Sequence, residues 1–460
     1  MLTKEYVNEV KTNGNGALVK AIEGLKKNTS SLSYFLENLG FLPDDFDGSV
    51  LLPFISHESS NVRFWVVKNL GKLGDVKYIE PLSKIVKEDT DSMVRREAVS
   101  SLGRMRNAKN IPTLLSLLTD PDPKILAQAI RGLLVFKRNE TVDTQLKQLA
   151  NHPNELIQQV IQKEYFPKKI KGSHLPHAQT YDYLKNVVVN GDVREILQAV
   201  PDDSIHLTFT SPPYYNARDY SVYPSYKAYL HFLADVFEKV HRVTKEGRFF
   251  VLNTSPIIIP RVSRQHSSRR YPIPFDIHPF LTEMGWEFID DIVWLKPEAS
   301  VKNRNAGFLQ HRKPLAYKPN PVTEYLMVYR KKSDKLIDWN IREYEWKTVK
   351  ESKVLGDYET SNVWRIDPTF AKNHSAVFPV ELCNEVIKFY SFKGDVVFDP
   401  FAGSGTVGIA ANALERHFFL TEKDEKYFQV IKTNLGNKSL FSNNEPRFLA
   451  LNEFTELTKI

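Results

Sequence analysis

From about residue 186 onward, the apolar residues of this chain fall in short β-rich runs separated by longer stretches at helical spacing, and that alternation leaves few folds open. The runs lie at 187–189, 205–209, 248–252, 291–295, 324–329, 396–398 and 418–420. Helical patterns lie at 226–243, 275–284, 380–390 and 407–414. Strands alternating with helices predict a mostly parallel sheet covered on both faces. In such sheets, ligands sit beyond the carboxyl ends of the strands.

Two turns fall at such ends. One is Asp399-Pro400-Phe401-Ala402-Gly403-Ser404-Gly405-Thr406, directly after an apolar run. Gly403 and Gly405 let the backbone pass close to a nucleoside, and Thr406 opens the next helix. The carboxylate of Asp399 suits a cationic cofactor group. A phosphate loop would end in Gly-Lys-Ser/Thr, which is missing here. Glu422, one strand later, suits the two hydroxyls of a ribose.

The other turn is Thr210-Ser211-Pro212-Pro213-Tyr214. An exocyclic amine on a base is a weak nucleophile, because its lone pair is delocalised into the ring. Two acceptors aimed at its hydrogens draw the nitrogen toward sp³ character. Ser211 Oγ and the Pro212 carbonyl are of that kind. The prolines hold the turn rigid before reaction. Tyr214 can stack on a base that has left the duplex.

The front of the chain is built differently. Residues 48–165 repeat with a period of 31 to 32: Val62, Val94 and Ile125 correspond, as do Leu70, Leu102 and Leu133. Ile79-Glu80-Pro81-Leu82 and Ile111-Pro112-Thr113-Leu114 start a second helix at the same spacing. A helix pair cannot bury its apolar face alone, so the pairs must stack into a solenoid. Residues 1–47 read as a helical cap, 166–185 as a basic, Pro/Gly-broken linker, and 441–460 as a C-terminal tail after a domain at 186–440.

Composition narrows the function. The single cysteine, Cys383, lies in an apolar helical pattern, so it reads as a buried thiol and no cysteine metal cluster is expected. No apolar run approaches the length of a membrane helix, and the N-terminal residues lack a signal-peptide layout, so a cytoplasmic protein is expected. The net charge of +7 permits a polyanionic partner. Arg261, Arg264, Arg269 and Arg270 cluster without an acid between Arg261 and Tyr271, and Lys302, Arg304, Arg312 and Lys313 between Val301 and Lys318; target-recognition loops are expected at about 261–274 and 298–320. Both flank the expected catalytic core, which favours contact with phosphates.

Taken together, residues 186–437 resemble the amino-methyltransferases of DNA in the β arrangement, where the Ser-Pro-Pro-Tyr motif precedes the Phe-x-Gly-x-Gly motif. The repeats resemble short HEAT-type units. The resemblance implies a Rossmann-like α/β methyltransferase domain that uses S-adenosylmethionine, preceded by an all-α HEAT-like solenoid. It implies catalytic roles for Ser211, Pro212 and Tyr214. It implies cofactor contacts from Thr210, Asp399, Phe401, Gly403, Gly405, Thr406 and Glu422, and from Asp192, which with Gly191 resembles the family's Gly-Asp. Phe378 starts the helix that closes over the cofactor, and Val293-Trp294-Leu295-Lys296-Pro297 resembles the strand bordering the base pocket.

The implied chemistry is direct displacement onto a flipped-out base in double-stranded DNA, without a metal. Ring-carbon methylation would need a Pro-Cys nucleophile, and Cys383 is not in that setting. In the family, Ser at the first motif position usually accompanies cytosine N4 and Asp adenine N6, so cytosine N4 is expected here and adenine N6 is the alternative. An RNA methyltransferase shares the cofactor fold. A repeat scaffold with an inactive cofactor-binding domain is the non-enzyme alternative, opposed by the intact Ser211, Pro212, Tyr214, Asp399 and Glu422. A restriction-modification setting is expected, with a cognate restriction endonuclease or another protein as a partner for the repeats.

Overall fold

The repeated positions form one buried stripe: Val62, Val94, Ile125, Leu70, Leu102 and Leu133 are all fully buried. The computed structural model describes residues 2–43, 45–167, 175–215, 223–259, 263, 265–266, 268–301, 314–315, 319–371, 374–436 and 445–458. It divides into two compact units, Met1–Ile170 and Lys171–Ile460.

In the first unit, helices α1 (Lys4–Thr12), α2 (Asn15–Gly24) and α3 (Thr29–Asn38) share a core with the repeats. The repeat helices are α4 (Ser60–Leu73), α5 (Ile79–Glu88), α6 (Ser92–Arg104), α7 (Ile111–Ser116), α8 (Pro123–Leu134), α9 (Glu140–Lys147) and α10 (Glu155–Tyr165). Asp91, Asp122, Asn139 and Asn154 cap helix N-termini with their side chains. Arg63 bonds Asp89 at 2.8 Å and Arg96 bonds Asp122 at 2.8 Å, so one helix of a repeat clips the turn that leads into the next.

Small residues set the spacing of α4, α6 and α8. A Cβ on Gly103 would lie 3.1 Å from the Cα of Gly132, and one on Gly71 would lie 2.3 Å from the Cβ of Ser101. Gly103→Leu is expected to cost about 1–3 kcal/mol by overpacking. Thermal denaturation checks this, and an unchanged Tm would mean that the helices are not in close contact.

In the second unit, a nine-stranded sheet has the order β13-β1-β12-β11-β2-β3-β7-β6-β8. Its strands are β1 (Val187–Asn190), β2 (Ile205–Thr210), β3 (Thr244–Thr254), β6 (Trp286–Leu295), β7 (Thr323–Lys331), β8 (Val363–Arg365), β11 (Val396–Asp399), β12 (His417–Glu422) and β13 (Arg447–Ala450). Two small hairpins join β4 (Ile257–Ile259) to β5 (Arg269–Tyr271) and β9 (Thr369–Ala371) to β10 (His374–Val377). The sheet is mostly parallel, as expected, except that β7 runs against both its neighbours, β3 and β6.

Alternate residues of the strands feed two cores. Val187 and Val189 pack in one with α12 (Tyr226–Val243) and α13 (Ile273–Met284). Val188 packs in the other with α16 (Val380–Tyr390), α17 (Thr406–Ala413) and α18 (Glu425–Gly436). Cys383 is buried in that second core, and burial pushes its thiol pKa well up. Short helices α11 (Val193–Ile196), α14 (Ile337–Arg342) and α15 (Trp346–Glu351) complete the connections. No helix among the described residues is long and apolar enough to cross a membrane.

Two boundaries differ from expectation. Of the linker at 166–185, residues 168–174 lie outside the described residues, but its later part belongs to the second unit. There Thr180 Oγ1 donates to the Ser204 carbonyl at 2.7 Å, and Leu184 is fully buried. The tail at 441–460 is structural as well: β13 pairs in parallel with β1, and Phe454 of α19 (Leu451–Leu457) is fully buried. The physical reason is that β1 is an apolar strand with two neighbours, and β13 supplies the second.

Candidate functional site

Because β7 is reversed, its first residues meet the last residues of β3 and β6 at one edge of the sheet: Thr254 pairs with Tyr325, and Trp294 with Glu324. The carboxyl ends of β1, β2, β11 and β12 lie at that edge too. A cavity of about 850 Å³ opens there. That is within the roughly 300–1,000 Å³ typical of small-molecule sites.

Ten of the twelve expected catalytic and cofactor residues line this cavity. Ser211, Pro212, Tyr214 and Asp192 do so from the ends of β2 and β1. Phe378, Asp399, Phe401, Gly403, Thr406 and Glu422 do so from the later part of the chain. Phe378 also stacks on Phe209, with ring centroids 4.9 Å apart.

Two residues are corrected. Thr210 is fully buried and not among the lining residues; its Oγ1 donates to Asp399 Oδ1 at 2.6 Å. It therefore orients Asp399 and offers no contact surface to a ligand. Gly405 also stands behind the wall. With φ of 81° it shapes the turn, and a Cβ there would lie 3.0 Å from Ile431 Cγ2.

The acids of the cavity are held in different ways. Asp399 takes the Thr210 hydroxyl and the Phe401 N–H on the same oxygen, Oδ1. Burial raises its pKa to about 7, and the charge of Glu422 adds to the rise. Glu422 accepts the Gly403 N–H on Oε2 and the Asp424 N–H on Oε1, both at 2.9 Å. Burial raises its pKa as well. Asp192 is the opposite case: the hydrogen bond from Arg194, aided by Lys423, holds it well below the usual carboxylate range.

On the Ser211 side, a polar network escaped the sequence reading. Asn253 Nδ2 donates to Ser211 Oγ at 3.3 Å and to Glu324 Oε2 at 2.8 Å. Tyr214 donates its hydroxyl to Glu324 Oε2 at 3.2 Å, and Lys296 Nζ donates to Glu324 Oε1 at 2.5 Å. Glu324 is an acceptor-only carboxylate, which fixes the Asn253 amide with its NH₂ toward Glu324. The only sequence signal was weak: polar residues bordering apolar runs. The 293–297 stretch, taken from the resemblance to border a base pocket, lines the cavity through Trp294 and Lys296.

Of the basic residues, Arg269 and Arg270 lie exposed on β5. Arg261, Arg264, Lys302, Arg304, Arg312 and Lys313 lie outside the described residues.

Comparison with known proteins bears on both units. Residues 205–433 match a DNA methylase family model of N6/N4 type, and residues 48–103 and 79–163 match HEAT repeats. The type II beta methyltransferase M.BslI of Bacillus sp. (strain NEB-606) is 27% identical over 241 residues, which are 49% of this chain but only 25% of that protein. The type II methyltransferase M.Cfr9I of Citrobacter freundii is 28% identical over 278 residues, 53% of this chain and 86% of that protein. A Thermus thermophilus protein solved in complex with S-adenosyl-L-methionine is 25% identical, covering 54% of this chain and 94% of its own, with a TM-score of 0.42.

Proposed function

Because this chain belongs to the N6/N4 amino-methyltransferases of DNA, in the β arrangement and with HEAT repeats ahead of the methylase domain, we propose that it methylates N4 of cytosine in duplex DNA. The observation that carries this is one cavity lined both by the acceptor turn, with Ser211 and Tyr214, and by the acids Asp399 and Glu422. The relatives named as type II methyltransferases support a restriction-modification setting.

The cofactor is S-adenosylmethionine, and the wall suits it. Asp399 offers a carboxylate oxygen with no donor on it among the described residues. Glu422 keeps further lone pairs at the cavity for hydroxyl groups. The Gly403–Gly405 turn lets a nucleoside approach the backbone. When bound, the cofactor supplies an electrophilic methyl group on a sulfonium centre.

The protein's own residues do the rest. Ser211 Oγ and the Pro212 carbonyl accept the two amino hydrogens of the base, so the nitrogen lone pair is aimed away from the turn. Asn253 spends a donor on Ser211 Oγ, which orients the hydroxyl oxygen before the base arrives. Tyr214 and Trp294 offer aromatic faces for a base removed from the stack. Arg269 and Arg270 supply exposed charge for the DNA backbone.

Methylation-aware sequencing of DNA from cells expressing the chain tests this reading. N4-methylcytosine in one sequence context is expected. N6-methyladenine would move the target to adenine, and label in RNA alone would reject DNA as the substrate.

Cofactor binding should also depend on pH. The ionised form of Asp399 attracts a cation, and protonation below about 7 removes that attraction. Affinity for S-adenosylmethionine is therefore expected to weaken as the pH falls through about 7 and to level off above it. Calorimetric titration across this range checks the trend, and Asp399→Asn should flatten it.

A further inference from the structure

The polar network beside Ser211 ends on one carboxylate, and the reaction releases one proton that needs a destination. We propose that Glu324 takes up this proton, delivered through the Tyr214 hydroxyl. The inference rests on reading Ser211 as the acceptor of the target amino group.

The balance is simple. The new N–C bond forms with the nitrogen lone pair, the C–S bond breaks, and its electron pair stays on sulfur. The nitrogen then carries one hydrogen too many and a positive charge. One N–H bond breaks, its pair returns to nitrogen, and the proton passes to Ser211 Oγ, which gives its own hydroxyl proton to the oxygen of Tyr214 as that hydroxyl gives its own to Glu324 Oε2. The carboxylic acid so formed loses its proton to water when the site opens.

The geometry carries the last link. Tyr214 already donates to Glu324 Oε2 at 3.2 Å, in the direction the transfer requires. Ser211 and Ser255 lie beside the Tyr214 hydroxyl. Burial, and then the charge of Glu324, push the Tyr214 hydroxyl pKa well above its ordinary value, so Tyr214 conducts a proton and does not itself act as a base. Glu324 is mostly buried, with 16% of its side chain exposed, and it pairs with Lys296 from the end of β6. The groups set against it are thus Lys296, Tyr214 after β2 and the neutral amide of Asn253 on β3. A carboxylate held only for structure would need no phenol pointing from the reacting turn.

Single-turnover methylation of duplex DNA tests the proposal in the wild type, Glu324→Gln and Glu324→Asp. Cofactor Kd and the fluorescence of 2-aminopurine at the target position are read alongside. Glu324→Gln is expected to slow the step by about 10²-fold. Cofactor Kd and base unstacking should stay as in the wild type, and Glu324→Asp should recover part of the rate. A Glu324→Gln enzyme with the wild-type rate would overturn the proposal. So would a rate loss matched by an equal loss of base unstacking. A wild-type protein that modifies no DNA would instead reject the reading of Ser211, and the two failures are told apart.

Discussion

Ser211→Ala is expected to lower the rate of methyl transfer by about 10²–10³-fold, the usual cost of removing one preorganised polar contact to a reacting centre. The change should be confined to the chemical step. Asn253 keeps its 2.8 Å bond to Glu324 when the hydroxyl is gone, so the wall of the cavity stays in place. Asp399 and Glu422 sit at the ends of other strands and make no bond to Ser211. Cofactor Kd should therefore stay within error while the single-turnover rate falls. Equal losses of both would sink the role assigned to Ser211.

The second large effect concerns the opposite end of the sheet. Asp395, fully buried just before β11, takes the Arg248 guanidinium on Oδ2, the Phe392 N–H on Oδ2 at 2.8 Å and the Tyr344 hydroxyl on Oδ1 at 2.5 Å. His206 Nε2 lies 3.6 Å away. Burial works to raise the Asp395 pKa, but the charges of Arg248 and His206 and the Tyr344 bond outweigh it and leave it lowered. Asp395→Ala would strand a buried guanidinium, and the expected loss is about 3–5 kcal/mol of unfolding free energy. Asp395→Asn keeps part of the hydrogen bonding and should lose less. Chemical denaturation reads both, and an Asp395→Ala midpoint equal to the wild type would reject the account. The sign with pH follows from the lowered pKa: this stabilisation is present above the ordinary carboxylate range and is lost as acid protonates the folded protein.

Much of this was legible in the residues. The 3.6-residue period gave the helices Tyr226–Val243 and Val380–Tyr390 at their observed ends. The two opening turns, whose Thr210 and Asp399 are 189 positions apart, meet through a 2.6 Å hydrogen bond because β2 and β11 are neighbours. What stayed hidden has physical reasons. A strand's apolar pattern carries no direction, so the reversal of β7 could not be read, nor therefore the meeting of Glu324 with Asn253 and Lys296. β13 is four residues long and mostly half-buried, too short for a period to show. The resemblance implies a cofactor contact from Thr210. The last residue of a buried strand instead turns to its neighbouring strand, and its hydroxyl went to Asp399.

The pairing of β1 with both β12 and β13 has a consequence for synthesis on the ribosome. Val187 has Phe419 on one side and Arg447 on the other, so the strand that opens the sheet waits for the last elements before it has either neighbour. The repeats close through contacts between successive helices and can fold while the chain is still emerging. The methylase sheet cannot. Its cavity is assembled only once β12 and β13 have followed β1, so a product interrupted before them would carry a folded solenoid and no cofactor pocket.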